Sequence, residues 1–164
     1  MRFKDVYLSL GSNLGDRPAN LHRALAAIDQ KGRSIVRQSP VFETEPQDIA
    51  GQPWFLNMAV EIETNYFPRQ LLKSLQEIER DIGRLRGGQL KRGPRLIDID
   101  ILLFGATQMT TAELTIPHPR MWDRRFVLQP LSDIAPGLRV PGQQTTLGQR
   151  LTQLPGQEVR PARL

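Results

Sequence analysis

Between Asp5 and Leu10, Val6, Leu8 and Leu10 alternate with Tyr7 and Ser9, the period of a half-buried strand. Gly11-Ser12-Asn13 reads as its end and as a tight turn. Asp16 then offers an N-cap and Pro18 suits a first helical turn. Leu21, Leu25 and Ile28 repeat at i, i+4, i+7 on a helix expected to stop near Gly32. Ile35-Val36 and Val41-Phe42 mark a second extended segment interrupted at Pro40, and Glu45 to Pro53 is polar enough for a loop. The clearest alternation follows. Leu56, Met58, Val60 and Ile62 face one way, and Phe55, Asn57, Ala59, Glu61 and Glu63 the other.

Pro68 opens a second helix with an apolar stripe at Leu71, Leu75, Ile78 and Ile82, a neighbouring stripe of Leu72, Gln76 and Glu79, and Gly83 where a C-terminal cap would stand. The β-branched run Leu96 to Phe104 predicts a central strand. The order β-α-β-β-α-β predicts an α/β (α+β) fold, a ferredoxin-like βαββαβ sandwich with a mainly antiparallel sheet and both helices on one face. Beyond Gly105 the pattern predicts C-terminal helical additions: an extended piece at Leu114 to Ile116, helical turns around Met121 to Leu131, and an amphipathic helix through Leu147, Leu151 and Leu154. No repeat, low-complexity block or linker divides the chain. A single domain over residues 1–164 is expected, with 155–164 as a loose tail.

Composition narrows the chemistry more than the fold. A chain of 164 residues with 39% hydrophobic and 24% charged residues suits one globular domain, and zero cysteines remove disulfides, thiolate metal sites and thiol nucleophiles. Lys and Arg outnumber Asp and Glu by 22 to 17, and the resulting net charge of +5 favours an anionic partner. No run is long enough to span a bilayer and the N-terminus turns polar early, so no membrane association and a cytoplasmic location are expected.

Asp98 and Asp100 in LIDIDILLF are two apart, so on a strand their Cα atoms lie about 6.5–7 Å apart on one face, with Leu96 and Leu102 beside them. Such a pair can clamp two divalent ions or can simply be a solvated acidic face, and like charges side by side gain from nearby cations. GRLRGGQLKRGPR, immediately upstream, supplies Arg84, Arg86, Lys91, Arg92 and Arg95 among four glycines. A loop of that composition is a solvated basic turn or a mobile clamp over phosphates, and the neighbouring carboxylates favour the second. His22 falls on a polar helix face. His118, between Pro117 and Pro119 and followed by Arg120, Arg124 and Arg125, is either a phosphate donor or a packed loop residue. Phe55 and Asn57 share a strand face, offering an aromatic surface and an amide that can read a hydrogen-bonding edge. Core packing is the plainer alternative for Phe55.

Four ordered blocks, YLSLGSNLGD, FETEP with GQPWFLNMAV, GRLR with RGPRLIDIDILLFG, and LTIPHPRMWDRRFVLQPL, resemble the 6-hydroxymethyl-7,8-dihydropterin pyrophosphokinases of folate biosynthesis over about Val6 to Pro136. The resemblance implies transfer of pyrophosphate from ATP to the hydroxymethyl oxygen of 6-hydroxymethyl-7,8-dihydropterin, releasing AMP. It implies that Asp98 and Asp100 hold two Mg²⁺ ions with ATP and that Arg84 and Arg95 clamp the transferring group. It sets Gln76, Glu79, Arg86, Ile101, Thr115, His118 and Arg124 on the nucleotide side, and Thr44, Gln47, Phe55, Asn57 and Phe126 on the pterin side. Arg92 stands where some members have Trp, Phe55 replaces a Tyr, and Pro119 and Glu113 stand where certain relatives carry an aromatic and a basic residue. The stacking role of that Trp is not expected of Arg92, Phe55 keeps the ring without the hydroxyl, and nucleotide contacts from Pro119 and Glu113 are not carried over. A monomer acting on small-molecule substrates is expected. The alternatives are another Mg-dependent phospho- or nucleotidyltransferase, and a basic RNA-binding domain, against which the acids of LIDIDILLF argue by repelling a phosphate backbone.

Overall fold

The computed structural model describes residues 2–46, 51–84 and 95–164, with Arg84 described only by its place at a helix end. Strand β1 (Phe3–Ser12) leads to helix α1 (Arg17–Ile28), strands β2 (Arg33–Gln38), β3 (Phe42–Thr44) and β4 (Phe55–Thr64), helix α2 (Pro68–Arg84) and strand β5 (Asp98–Phe104). Strands β6 (Met109–Thr110) and β7 (Thr115–Ile116), a 3-10 turn (Met121–Asp123), helices α3 (Arg125–Ile134) and α4 (Leu147–Gln153), and strand β8 (Val159–Pro161) follow.

The main sheet runs β5-β1-β4-β3-β8, with β2 also paired to β4, and its pairings are antiparallel. This is the expected ferredoxin-like order, with β2 and β3 sharing the place of the second strand. On one face Leu8, Leu10, Met58, Val60, Ile62, Ile99 and Ile101 meet Leu21, Ala24 and Ile28 of α1 and Leu71, Leu75 and Ile78 of α2. The predicted stripes therefore bury where their spacing sends them. Asp16 caps α1, its Oδ1 accepting from the Ala19 amide at 3.1 Å.

The opposite face is covered as well. Tyr7, Ala59, Leu102 and Leu103 pack against Val127, Leu128 and Leu131 of α3 and Leu147 of α4 in a second core. A register irregularity between β1 and β5 lets the consecutive Leu102 and Leu103 both join it. Leu96, expected beside the acids, precedes β5 and packs in the helix-side core instead.

Three further expectations are corrected. β1 continues through Gly11 and Ser12, because both pair with β4, and the turn begins only at Asn13. Gly83 lies within α2 rather than capping it. The end of the chain is not loose over its whole length: β8 pairs Val159, Arg160 and Pro161 with Thr44, Glu43 and Phe42, so the edge of β3 is covered. Among the described residues no helix is long and apolar enough to cross a membrane.

Leu128 is fully buried in the second core. Leu128→Ala is expected to cost about 2–5 kcal/mol of unfolding free energy, measured by urea denaturation.

Candidate active site

The sheet face shared with α3 carries the candidate residues. Asp98 pairs with Gly11, and Gly11 pairs on its other side with Asn57, so the three occupy one cross-strand row. With strands about 4.8 Å apart, Asp98 and Asn57 lie about 10 Å apart at Cα. Asp100 pairs with Ser9 in the next row of that face.

Gly11 makes this row passable. A Cβ built there would stand 2.5 Å from Asn57 Oδ1 and 3.5 Å from the Phe55 ring. The bare backbone leaves room for Asn57 Oδ1 over Gly11 of β1, while its Nδ2 donates to Thr44 Oγ1 on β3, the strand on the other side, at 2.6 Å. Thr44 and Asn57 are buried, while Phe55 keeps a partly exposed ring beside them. Phe126, at the start of α3, has the Arg124 guanidinium 5.3 Å from its ring centroid. Thr44, Phe55, Asn57 and Phe126 thus come from three elements bordering one region. Gln47 lies outside the described residues.

The carboxylate side is tightly coupled. Arg95 Nη1 stands 3.5 Å from Asp98 Oδ1, with both side chains about one-third exposed. Burial pushes the Asp98 carboxyl up to about 6, with Arg95 opposing and Asp100 adding to the rise. Glu79 reaches from α2 and accepts from the Ile99 amide at 2.9 Å, so a carboxylate closes part of the outer edge of β5. Burial raises Glu79 to about 7. The Ile99 hydrogen bond and Arg95 hold it down, while Asp98 and Asp100 push it further up.

Farther along that edge the His118 amide donates to the Leu102 carbonyl at 2.9 Å. The His118 Nδ1 accepts from the Arg120 amide at 3.2 Å, which leaves the other ring nitrogen to carry the proton of the neutral form. Burial lowers the His118 pKa. Asp100 opposes that shift and Arg124 and Arg120 reinforce it, so the ring is close enough to feel the acids. Thr115 sits on β7, and Gln76 is exposed on α2. Ile101 is placed differently from a side-chain ligand contact: it is 3% exposed in the helix-side core, so any contact with a ligand runs through its main chain. Arg86, Lys91 and Arg92, and with them the expected mobile clamp, lie outside the described residues.

Asn13 has a role the sequence does not announce. Its backbone amide donates to the Arg95 carbonyl at 3.0 Å, and the Arg95 amide donates to Asn13 Oδ1 at 2.7 Å. Its Nδ2 also donates to Gln52 Oε1 at 3.0 Å and the Pro53 carbonyl at 3.2 Å. One buried amide therefore ties the segment entering β5 to the segment entering β4. Partners 39 to 82 residues away left no local signal for it.

The structure is thus an antiparallel ferredoxin-like α/β domain that places a carboxylate pair on one side of Gly11 and Phe55 with Asn57 on the other. Residues 7–136 match the family 7,8-dihydro-6-hydroxymethylpterin-pyrophosphokinase (HPPK), and the chain belongs to that family. It is 45% identical over 130 residues to the 2-amino-4-hydroxy-6-hydroxymethyldihydropteridine pyrophosphokinase of Bacillus subtilis, covering 79% of this chain and 77% of that one. It is 43% identical over 132 residues to a folate synthesis bifunctional protein of Arabidopsis thaliana, covering 80% of this chain but only 27% of that longer protein. The Plasmodium falciparum HPPK-DHPS solved with pteroate superposes with a TM-score of 0.74 at 16% identity, over 93% of this chain and 42% of that one, a likeness of fold.

The raised Glu79 pKa makes a stability prediction for protein free of divalent ions. Between pH 4.5 and about 7 the folded state holds the Glu79 proton more tightly than the unfolded chain, so this group's contribution is full below that window and lost above it. Glu79→Gln removes the titration and keeps an acceptor for Ile99. Relative to the parent, the variant is expected to gain stability on the order of 1–3 kcal/mol on passing from the acid to the alkaline side of the window. Urea denaturation of both proteins across the window measures the difference.

Proposed function

We propose that this chain transfers pyrophosphate from ATP to the hydroxymethyl oxygen of 6-hydroxymethyl-7,8-dihydropterin, with the pterin against the Phe55 and Asn57 wall and the triphosphate over Asp98 and Asp100. The observation that carries the assignment of sides is the row Asp98, Gly11, Asn57, which sets a cation-holding carboxylate and an amide about 10 Å apart across one bare residue. The family supports the reaction, since the chain matches it over 130 residues.

In the reaction the hydroxymethyl oxygen forms a bond to the β-phosphorus of ATP. The bond from that phosphorus to the oxygen shared with the α-phosphate breaks, AMP leaves, and the hydroxyl proton is released. Phe55 and Phe126 supply ring faces for the bicyclic pterin, and Asn57, held by Thr44, presents its amide to the hydrogen-bonding edge of that ring. Arg95, anchored at both main-chain polar groups by Asn13, brings a planar guanidinium to the phosphate side, where Arg124 and the proton-bearing nitrogen of His118 add donors. Arg84, at the end of α2, joins this set in the same reading.

The donor chemistry fits Mg²⁺. Asp98 and Asp100 are hard oxygen donors on one face, and burial beside Asp100 makes the Asp98 charge costly without a cation. Among the described residues no group of three or more His, Cys, Asp or Glu forms a protein-only cage. Two carboxylates complemented by water and phosphate oxygens are the usual Mg²⁺ arrangement. Asp98 and Asp100 would hold two ions with ATP, which supply charge neutralisation at the phosphates. A monomer in the cytoplasm, with its ATP pool, is the working state this reading proposes.

An assay with ATP, Mg²⁺ and the pterin should yield AMP, and ADP instead would refute pyrophosphate transfer. Asp98→Asn and Asp100→Asn should each fold and lose more than about tenfold in turnover. Gly11→Ala, whose new methyl displaces Asn57, should raise the KM for the pterin about tenfold, the scale of one or two lost hydrogen bonds.

A further inference from the structure

The family match ends at residue 136, yet the last turn of the chain reaches back to the region assigned to the pterin. Gln157 is 9% exposed and satisfies two main chains at once. Its Nε2 donates to the Glu45 carbonyl at 2.8 Å, and its Oε1 accepts from the Phe126 amide at 3.2 Å. Glu45 follows Thr44 directly. Phe126 is the second residue of α3, where an amide has no partner within its own helix. One side chain thus spans the gap between the strand that carries Thr44 and the helix that carries the Phe126 ring.

The rest of the segment holds Gln157 in place. The Glu45 amide donates to the Glu158 carbonyl and the Glu158 amide to Glu45 Oε1, both at 3.1 Å, and Val159 pairs with Thr44. On its N-terminal side, Arg125 Nη2 donates to the Leu154 carbonyl at 2.7 Å. A buried amide gripped from both directions has little freedom to follow a shift in either neighbour. The spacing between Phe126 and Thr44 is therefore set by its length.

We infer that Gln157 is a positioning residue for the pterin, fixing the distance between the Phe126 ring and the wall of Thr44 and Asn57, so that the C-terminal segment outside the family match is part of the substrate site. This rests on the assignment of the pterin to that side. Among the described residues the Gln157 side chain bonds Glu45 and Phe126 and neither the carboxylates nor the groups assigned to the nucleotide, so its effect is expected on the pterin.

The test compares steady-state constants for full-length Gln157→Ala, Gln157→Glu and Phe55→Ala, with thermal unfolding of each. Gln157→Glu keeps the size and the acceptor for Phe126 but sets a carboxylate oxygen against the Glu45 carbonyl, so it reports even where the alanine variant folds poorly. Both Gln157 variants are expected to raise the KM for the pterin about three- to tenfold, the scale of one or two hydrogen bonds, while the KM for ATP stays within about twofold. Gln157→Asn, which keeps both hydrogen-bonding groups on a stem one methylene shorter, cannot span the same gap and should show the same pterin-specific rise, and full wild-type behaviour of this variant would overturn the inference. Equal rises in both KM values, or no rise for the pterin, overturn the inference. A pterin-specific loss in Phe55→Ala with none in the Gln157 variants overturns it and leaves the assignment of the pterin side standing. No loss in Phe55→Ala overturns both.

Discussion

The ligand face depends on a missing side chain. β1 is the strand between the acids of β5 and the amide of β4, and at Gly11 it presents only backbone, because any Cβ would collide with Asn57 Oδ1 at 2.5 Å. That bareness gives Asn57 Oδ1 its room over Gly11 while Nδ2 bonds Thr44, and the proposed site depends on that placement. The cost of a glycine in a strand interior, about 0.5–1 kcal/mol relative to alanine, is small beside what depends on it. Asn13, two residues on, uses the same strand end to hold the segments that lead into β4 and β5. Both neighbours of β1 are thereby registered to it beside the row Asp98, Gly11, Asn57.

The carboxylates show how the basic surplus is spent. Burial raises both the Asp98 and Glu79 pKa values, with Asp100 adding to the rise at Asp98 and both aspartates adding to it at Glu79, and Arg95 offsets only part of that. A cluster held this way is less stable alone than it is with positive charge supplied from outside. In the proposed reaction, cations accompanying the anionic substrate would relieve that repulsion. The helix-side core, with Leu8, Leu71 and Leu75 fully buried, can sustain that deficit.

Much of the frame was legible because its signals are local. The alternation over Phe55 to Thr64 and the stripes Leu21, Leu25, Ile28 and Leu71, Leu75, Ile78 depend on spacing alone, and the strand and helices follow from them. Asp98 and Asp100 were visible for the same reason. What stayed hidden depends on partners distant in sequence. Gly11 looked like a turn because nothing beside it reveals that Asn57 lies across the strand. Val159 to Pro161 has three residues, no alternation and a proline, and becomes a strand only because β3 offers an edge. The second core could not be anticipated, since the irregular stretch after Gly105 gives no sign that α3 covers the face opposite α1 and α2. Ile101 shows the limit of carrying a residue over by resemblance: the position reaches the site edge while its side chain points into the other core.

The two cores lie on opposite faces of β5, β1 and β4, and this gives the chain a grammar of permitted change. Along β4, Leu56, Met58 and Val60 answer to the helices, whereas Phe55 and Asn57 answer to the ligand side. Neighbouring letters are therefore judged by different criteria, one by volume and the other by shape and hydrogen bonding. Altered substrate preference could accumulate on every second residue while the scaffold stays untouched. A single-residue slip of a strand would exchange the two sets and forfeit both roles together, which makes register the one variable this sheet has no freedom to explore.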